Sequence, residues 1–309
     1  MSEIKKISII GTGGVGATLA FNVLAWLAPK ELVLIDINED LAKGVALDLE
    51  DTRGFLGFST KVVGGKNYST IKNSDIVIFT AGIARKKGMT RLDLLKINSG
   101  VAKDVSKKIK KFAPKTIVIA VTNPLDVITY VIAKETKFNR QRVIGMGSSL
   151  DTSRLLNILH KATKLPVSSL EGFAYGAHSK DMIIPLQRLK TKGKNIKTAL
   201  KNASPSQIRQ RTQLRGAEIV GLLKNRSANF APALSCCSLI EAIVKDANVV
   251  IPVSVYLQGE YGVNNVCLGV PCLINRKGAD KIIEMKISSS EKKELKKAEK
   301  LFKECMKSQ

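Results

Sequence analysis

The stretch Ile4-Lys-Lys-Ile-Ser-Ile-Ile-Gly-Thr-Gly-Gly-Val-Gly16 decides how this chain is read. Its first seven residues are apolar-rich and strand-like, and the helical pattern Ala17 to Leu27 follows the last glycine directly. Gly11 permits the tight turn, Gly13 lets a pyrophosphate approach the backbone, and Gly16 lets helix and strand pack closely. With Gly14 and Val15 these residues open the helix, whose N–H groups and positive dipole end suit phosphates. A G-x-G-x-x-G alone is weak. Here a second strand, Glu31 to Ile35, ends in Asp36, 20 residues beyond Gly16, and the combination is a strong dinucleotide fingerprint.

Asp36 is expected to accept hydrogen bonds from the adenosine ribose and to repel a 2′-phosphate. No arginine follows it (Ile37, Asn38), so the cofactor expected is NAD. Further strands are expected at Asp75 to Phe79, Thr116 to Ala120 and Arg142 to Ile144, with helices at Arg91 to Lys111 and Leu125 to Glu135. This alternation predicts an α/β chain with a doubly wound parallel (Rossmann) sheet. We expect an NAD-binding domain over 1–145 and an α+β substrate domain over 146–309. In the latter, helices fit Ser206 to Leu223, Pro232 to Lys245 and Ser289 to Met306. Strands fit Val249 to Leu257 and Gly262 to Ile274, with a bend near Asn264-Asn265.

The net charge of +24 raises nucleic acid as a partner, but 38 of the 50 basic residues are lysines spread along the chain. Their denser groups, Lys103 to Lys115 and Lys292 to Lys307, read as solvated faces of amphipathic helices. Aromatics are 5%, too few for the interleaving that nucleic-acid binders use. No specific nucleic-acid or membrane partner is therefore expected. A strand beginning by Ile4 leaves no room for a cleavable signal, and five scattered cysteines form no CxxC pair, so a reducing cytoplasm is expected and no metal.

Substrate chemistry gathers downstream. Arg85 and Arg91 lie in the stretch after the third of the expected strands, where Gly82 and Gly88 give the loop freedom to move and Thr90 is placed to cap the next helix. Two guanidiniums there suit a dicarboxylate, or a carboxylate and a carbonyl. Asn123, in Val121-Thr-Asn-Pro-Leu-Asp126, can serve a substrate oxygen or the cofactor amide. Asp151 and Arg154, three apart in Leu150-Asp-Thr-Ser-Arg154, share one face of the helix they open. Of the two histidines, His160 sits mid-helix and reads as structural. His178, in the turn Tyr175-Gly-Ala-His178, is the candidate proton carrier, with Asp151 as its natural partner.

These motifs, in this order, resemble the lactate and malate dehydrogenase family over essentially the full chain. The resemblance implies His178 as general acid/base, Asp151 as its orienting carboxylate, Arg154 as the clamp on the α-carboxylate and Arg91 as the carbonyl polariser. It adds Asn98, Val121 and Asn123 as cofactor contacts, and a homodimer or homotetramer packed through helices that include the 206–245 region. Arg85 stands where lactate-type members typically carry glutamine and malate-type members arginine, and Ala228 where lactate-type members commonly carry threonine. The implied reaction is reversible hydride transfer between L-malate and NAD, with loop closure over about residues 83–89. The alternatives are an L-lactate or other 2-hydroxyacid dehydrogenase and, from another class, a non-catalytic NAD- or polyanion-binding protein. One departure stands out. Ser179-Lys180 follows the histidine where many members have Gly-Asp, and Lys180 is expected to lower the His178 pKa slightly.

Overall fold

The computed structural model describes residues 5–83, 89–200, 204–224 and 226–307, without the side chains of Arg91 and Thr198. The first half carries strands β1 (Lys6–Ile10), β2 (Glu31–Ile35), β3 (Lys61–Gly65), β4 (Ile76–Phe79), β5 (Ile117–Ala120) and β6 (Val143–Gly145). Between them run α1 (Gly14–Trp26), α2 (Glu39–Asp51), the single-turn α3 (Arg53–Leu56), α4 (Arg91–Phe112) and α5 (Leu125–Thr136). β4 and β5 are buried along their whole length, as continuous apolar runs in a sheet covered on both faces must be.

The order along the sheet is β3-β2-β1-β4-β5-β6, all parallel, so the direction of winding reverses between β1 and β4. That reversal leaves a crevice at the carboxyl ends of the strands, where α/β proteins hold ligands. The stretch 37–74, unassigned from sequence, holds α2, α3 and β3. Asn38 caps α2 through Leu41 N at 3.1 Å.

The second half adds α6 (Gly147–Thr163) and a small sheet of β7 (Leu170–Glu171), β8 (Lys190–Thr191) and β9 (Lys194–Asn195). It continues with α7 (Lys197–Leu200), α8 (Pro205–Leu223), α9 (Phe230–Val244), β10 (Val249–Gln258), β11 (Asn264–Asn275), β12 (Gly278–Ile282) and α10 (Ser289–Lys307). β10 pairs antiparallel to β6 through Ser254 and Gly145, so the described residues form one nine-stranded sheet spanning both halves. Two expectations shift. α6 begins at Gly147, before Leu150-Asp151, and the expected bend is a bulge in which Asn265, at φ 58°, is skipped in the backbone register with β10 while its side chain accepts from Tyr256.

Candidate active site

Gly11 turns at φ 102°, and a Cβ there would lie 2.6 Å from Ala81 N on the neighbouring loop. At Gly16 a Cβ would meet Gly11 O at 1.9 Å, so only glycine lets α1 start this close to β1. Gly13 is different: the space where its Cβ would stand is open. As N-cap it gives α1 no side-chain acceptor, and no acid stands in the first turn. An open cradle at an uncapped helix start fits a pyrophosphate. Beside it, Asp36 Oδ2 accepts from Thr12 N at 2.7 Å and Thr12 Oγ1 at 3.0 Å, which fixes the carboxylate at the end of β2. These residues fit a dinucleotide with an unphosphorylated ribose.

Across the crevice, Asn98 on α4 is buried and acts as a brace. Its Oδ1 accepts from Ile83 N at 2.9 Å, and its Nδ2 donates to Asn123 O at 2.7 Å. The loops after β4 and β5 are thereby tied together, with Val121 buried between them and the Asn123 side chain near the surface. Thr90 caps α4 in a reciprocal capping box with Asp93. Arg85 lies outside the described residues, as does the side chain of Arg91, so the structure does not place the two loop arginines.

The remaining predicted residues come together. His178 Nδ1 and Asp151 Oδ2 are 2.7 Å apart, and the other Asp151 oxygen lies 3.5 Å from Arg154 Nη1. Asp151 is 1% exposed, against 12% for the imidazole and 13% for the guanidinium. Burial alone would pull the imidazole pKa down. Charge and hydrogen bonding from Asp151, with help from Asp126, more than offset burial and opposition from Arg154, leaving His178 above its ordinary value. Lys180 is exposed, and the cation that opposes protonation is Arg154. The buried Arg154 Nε has no hydrogen-bond partner among the described residues. A carboxylate bound from the crevice would satisfy it.

The turn that carries His178 is pinned from three sides. Tyr175 pairs with Ile183, Gly176 exchanges two backbone hydrogen bonds with Gly269 of β11, and Asp126 Oδ2 accepts from His178 N at 2.8 Å. Ser179 closes the turn by donating its N–H to Ala177 O at 2.8 Å and accepting from Asp181 N, so the unusual Ser-Lys pair is accommodated. His160, as expected, is structural, with Nδ1 2.7 Å from Leu165 O. Sequence reasoning missed Asp126, Gly147, which packs on the His178 ring, and Asn229, whose Nδ2 donates to Thr18 Oγ1 at 2.9 Å and ties α9 to α1. Asp126 stood in a quoted motif, but nothing local shows that it faces a residue 52 positions later.

Residues 5–145 match the family description "lactate/malate dehydrogenase, NAD binding domain", and residues 148–309 match "lactate/malate dehydrogenase, alpha/beta C-terminal domain". A protein named malate dehydrogenase from Anoxybacillus flavithermus is 41% identical over 305 residues, covering 98% of this chain and 97% of its own. Another of that name from Bacillus subtilis is 39% identical with the same coverage. The crystal structure of Cryptosporidium parvum malate dehydrogenase superposes at TM-score 0.93, 33% identity and 98% coverage of both chains. The lactate dehydrogenase of the same organism, complexed with lactic acid and NAD, also reaches 0.93, at 30% identity with 99% of this chain and 98% of that chain covered.

Proposed function

The chain belongs to the lactate/malate dehydrogenase family, and we propose that within it the chain is an NAD-dependent malate dehydrogenase. NAD would supply the hydride acceptor for oxidation of malate at C2. Gly11, Gly13, Gly14, Val15 and Gly16 would cradle its pyrophosphate and Asp36 its adenosine ribose, with Asn98, Val121 and Asn123 shaping the nicotinamide end. The observation that carries the chemistry is the largely buried cluster of His178, Asp151 and Arg154. Neutral His178 takes the hydroxyl proton in oxidation and, as imidazolium, returns it in reduction, with Asp151 holding the ring and its charge. Arg154 pairs with the carboxylate on C1.

Arg85 and Arg91 complete the reading from sequence: Arg91 polarises the carbonyl and Arg85 takes the second carboxylate. Burying that carboxylate unpaired would cost several kcal/mol, whereas Arg85 left without one disfavours pyruvate. We place the domain boundary at 145/146, where β6 ends and α6 is about to begin. The enzyme is read as a cytoplasmic homodimer or homotetramer, and the exposed Leu222 and Phe230 in the 206–245 region supply apolar surface for the contact.

The test is loss of NADH absorbance with oxaloacetate and, separately, pyruvate, using purified protein. A strong preference for oxaloacetate is expected. Preference for pyruvate would move the chain to the lactate side of the family, and His178→Asn that still turned over would remove the histidine from the mechanism.

A further inference from the structure

We propose that Asp126 is a positioning residue for His178, gripping the histidine by its main chain while Asp151 grips it by its ring; this rests on the acid–base role just given to His178. One Asp126 oxygen accepts the His178 N–H at 2.8 Å, and the other is held by Ser254 Oγ at 2.7 Å. Asp126 lies in the first turn of α5, whose Ile128 N donates to Pro124 O, and Ser254 lies on β10 opposite Gly145. The grip therefore runs from the sheet through a carboxylate to the catalytic turn. A neutral side chain of the same shape could supply the two hydrogen bonds. The carboxylate adds negative charge beside a group that must hold a proton.

The groups facing Asp126 are few. His178 on the turn lowers its pKa, Asp151 on α6 raises it, Ser254 on β10 donates to it, and Cys267 on β11 is a buried thiol whose own pKa is pushed well up. Burial dominates and raises the Asp126 carboxyl to about 6, so it titrates beside the imidazole it positions. The ionised form favours imidazolium, which is the proton donor for reduction.

The test uses the full chain with Asp126→Ala, Asp126→Asn and Ser254→Ala. Because the chain has two histidines, labelled imidazoles give two NMR titrations, which His160→Gln assigns. Asp126→Ala should lower kcat roughly 10- to 100-fold, as a misplaced reacting group does, while NADH binding measured by fluorescence stays within about twofold. Asn should recover most of that loss, yet lower the His178 pKa by roughly half a unit or more because the charge is gone. Ser254→Ala should reduce kcat a few-fold with the same preserved binding. The proposal is overturned if Ala leaves kcat unchanged, if Asn recovers nothing, or if the His178 titration in Asn overlays the wild type. Should Asp126→Ala not fold, the Asn titration decides alone. An active His178→Asn would overturn the acid–base reading itself, whereas an inactive one beside unaffected Asp126 variants would overturn only this proposal.

Discussion

Gly147 packs against the ring of His178: a Cβ built on it would stand 2.6 Å from Cγ and 2.8 Å from Cβ of the histidine. The first residue of α6 thus fixes how deep the imidazole sits, four residues before the carboxylate that orients it. Gly147→Ala should displace the ring and lower kcat/KM for oxaloacetate roughly 10- to 100-fold. Stopped-flow turnover beside NADH fluorescence checks this, since cofactor binding should be unaffected.

The cofactor loop gives the opposite pattern. With Gly11 O only 1.9 Å from the position of a new Cβ, Gly16→Ala must push α1 away from β1. We expect a loss of about 2 kcal/mol or more in urea unfolding and weakened NADH binding. Normal binding in a stable variant would show that the helix start tolerates the shift.

Arg154 offers a buried N–H with no acceptor among the described residues. Arg154→Lys keeps the charge but not the planar fork, so kcat/KM for oxaloacetate should fall about 100-fold. NADH affinity should remain as in the wild type, because the proposed function gives the guanidinium to the substrate.

Asp126 has a folded pKa raised from 3.8 to about 6, and the His178 value is raised as well. Through both windows the native state binds more protons than the unfolded chain, so stability contributed by these groups is lost as pH rises. For Asp126 the window runs from about pH 4 to about 6, and its size is on the order of 3 kcal/mol. The histidine extends the decline from its ordinary value upward. Denaturant unfolding from pH 4 to 8 should show a shallower decline in Asp126→Asn; parallel curves would contradict the raised value.

In the proposed function, specificity is assigned to Arg85, a residue read from sequence. Arg85→Gln should raise the pyruvate-to-oxaloacetate ratio of kcat/KM about 100-fold, since an unpaired guanidinium no longer rejects the smaller acid. An unchanged ratio would take Arg85 out of substrate selection.

Much of the parallel sheet was legible because β1, β2, β4 and β5 are dominated by β-branched and aliphatic residues with turn glycines or asparagines close by. β3 escaped notice: Lys61-Val-Val-Gly-Gly65 is a short edge strand, and Gly64 is small because Ala42 O would lie 2.2 Å from its Cβ. The start of α6 was obscured because Gly147-Ser-Ser149 favours helix only weakly and carries no apolar period. His178 and Asp151 could be paired on paper because one histidine of two stood in a turn. Asp126 could not, since its partner is a backbone N–H whose location is settled by the β11 contact at Gly269. Only the assembled fold exposes that kind of relationship.

Pairing of Ser254 with Gly145 runs one hydrogen-bonded ladder from the cofactor half into the substrate half. Swinging one lobe against the other, the manner in which many two-lobed enzymes seal in a ligand, would tear that ladder. In the proposed mechanism, His178 therefore works within a frame that both halves share.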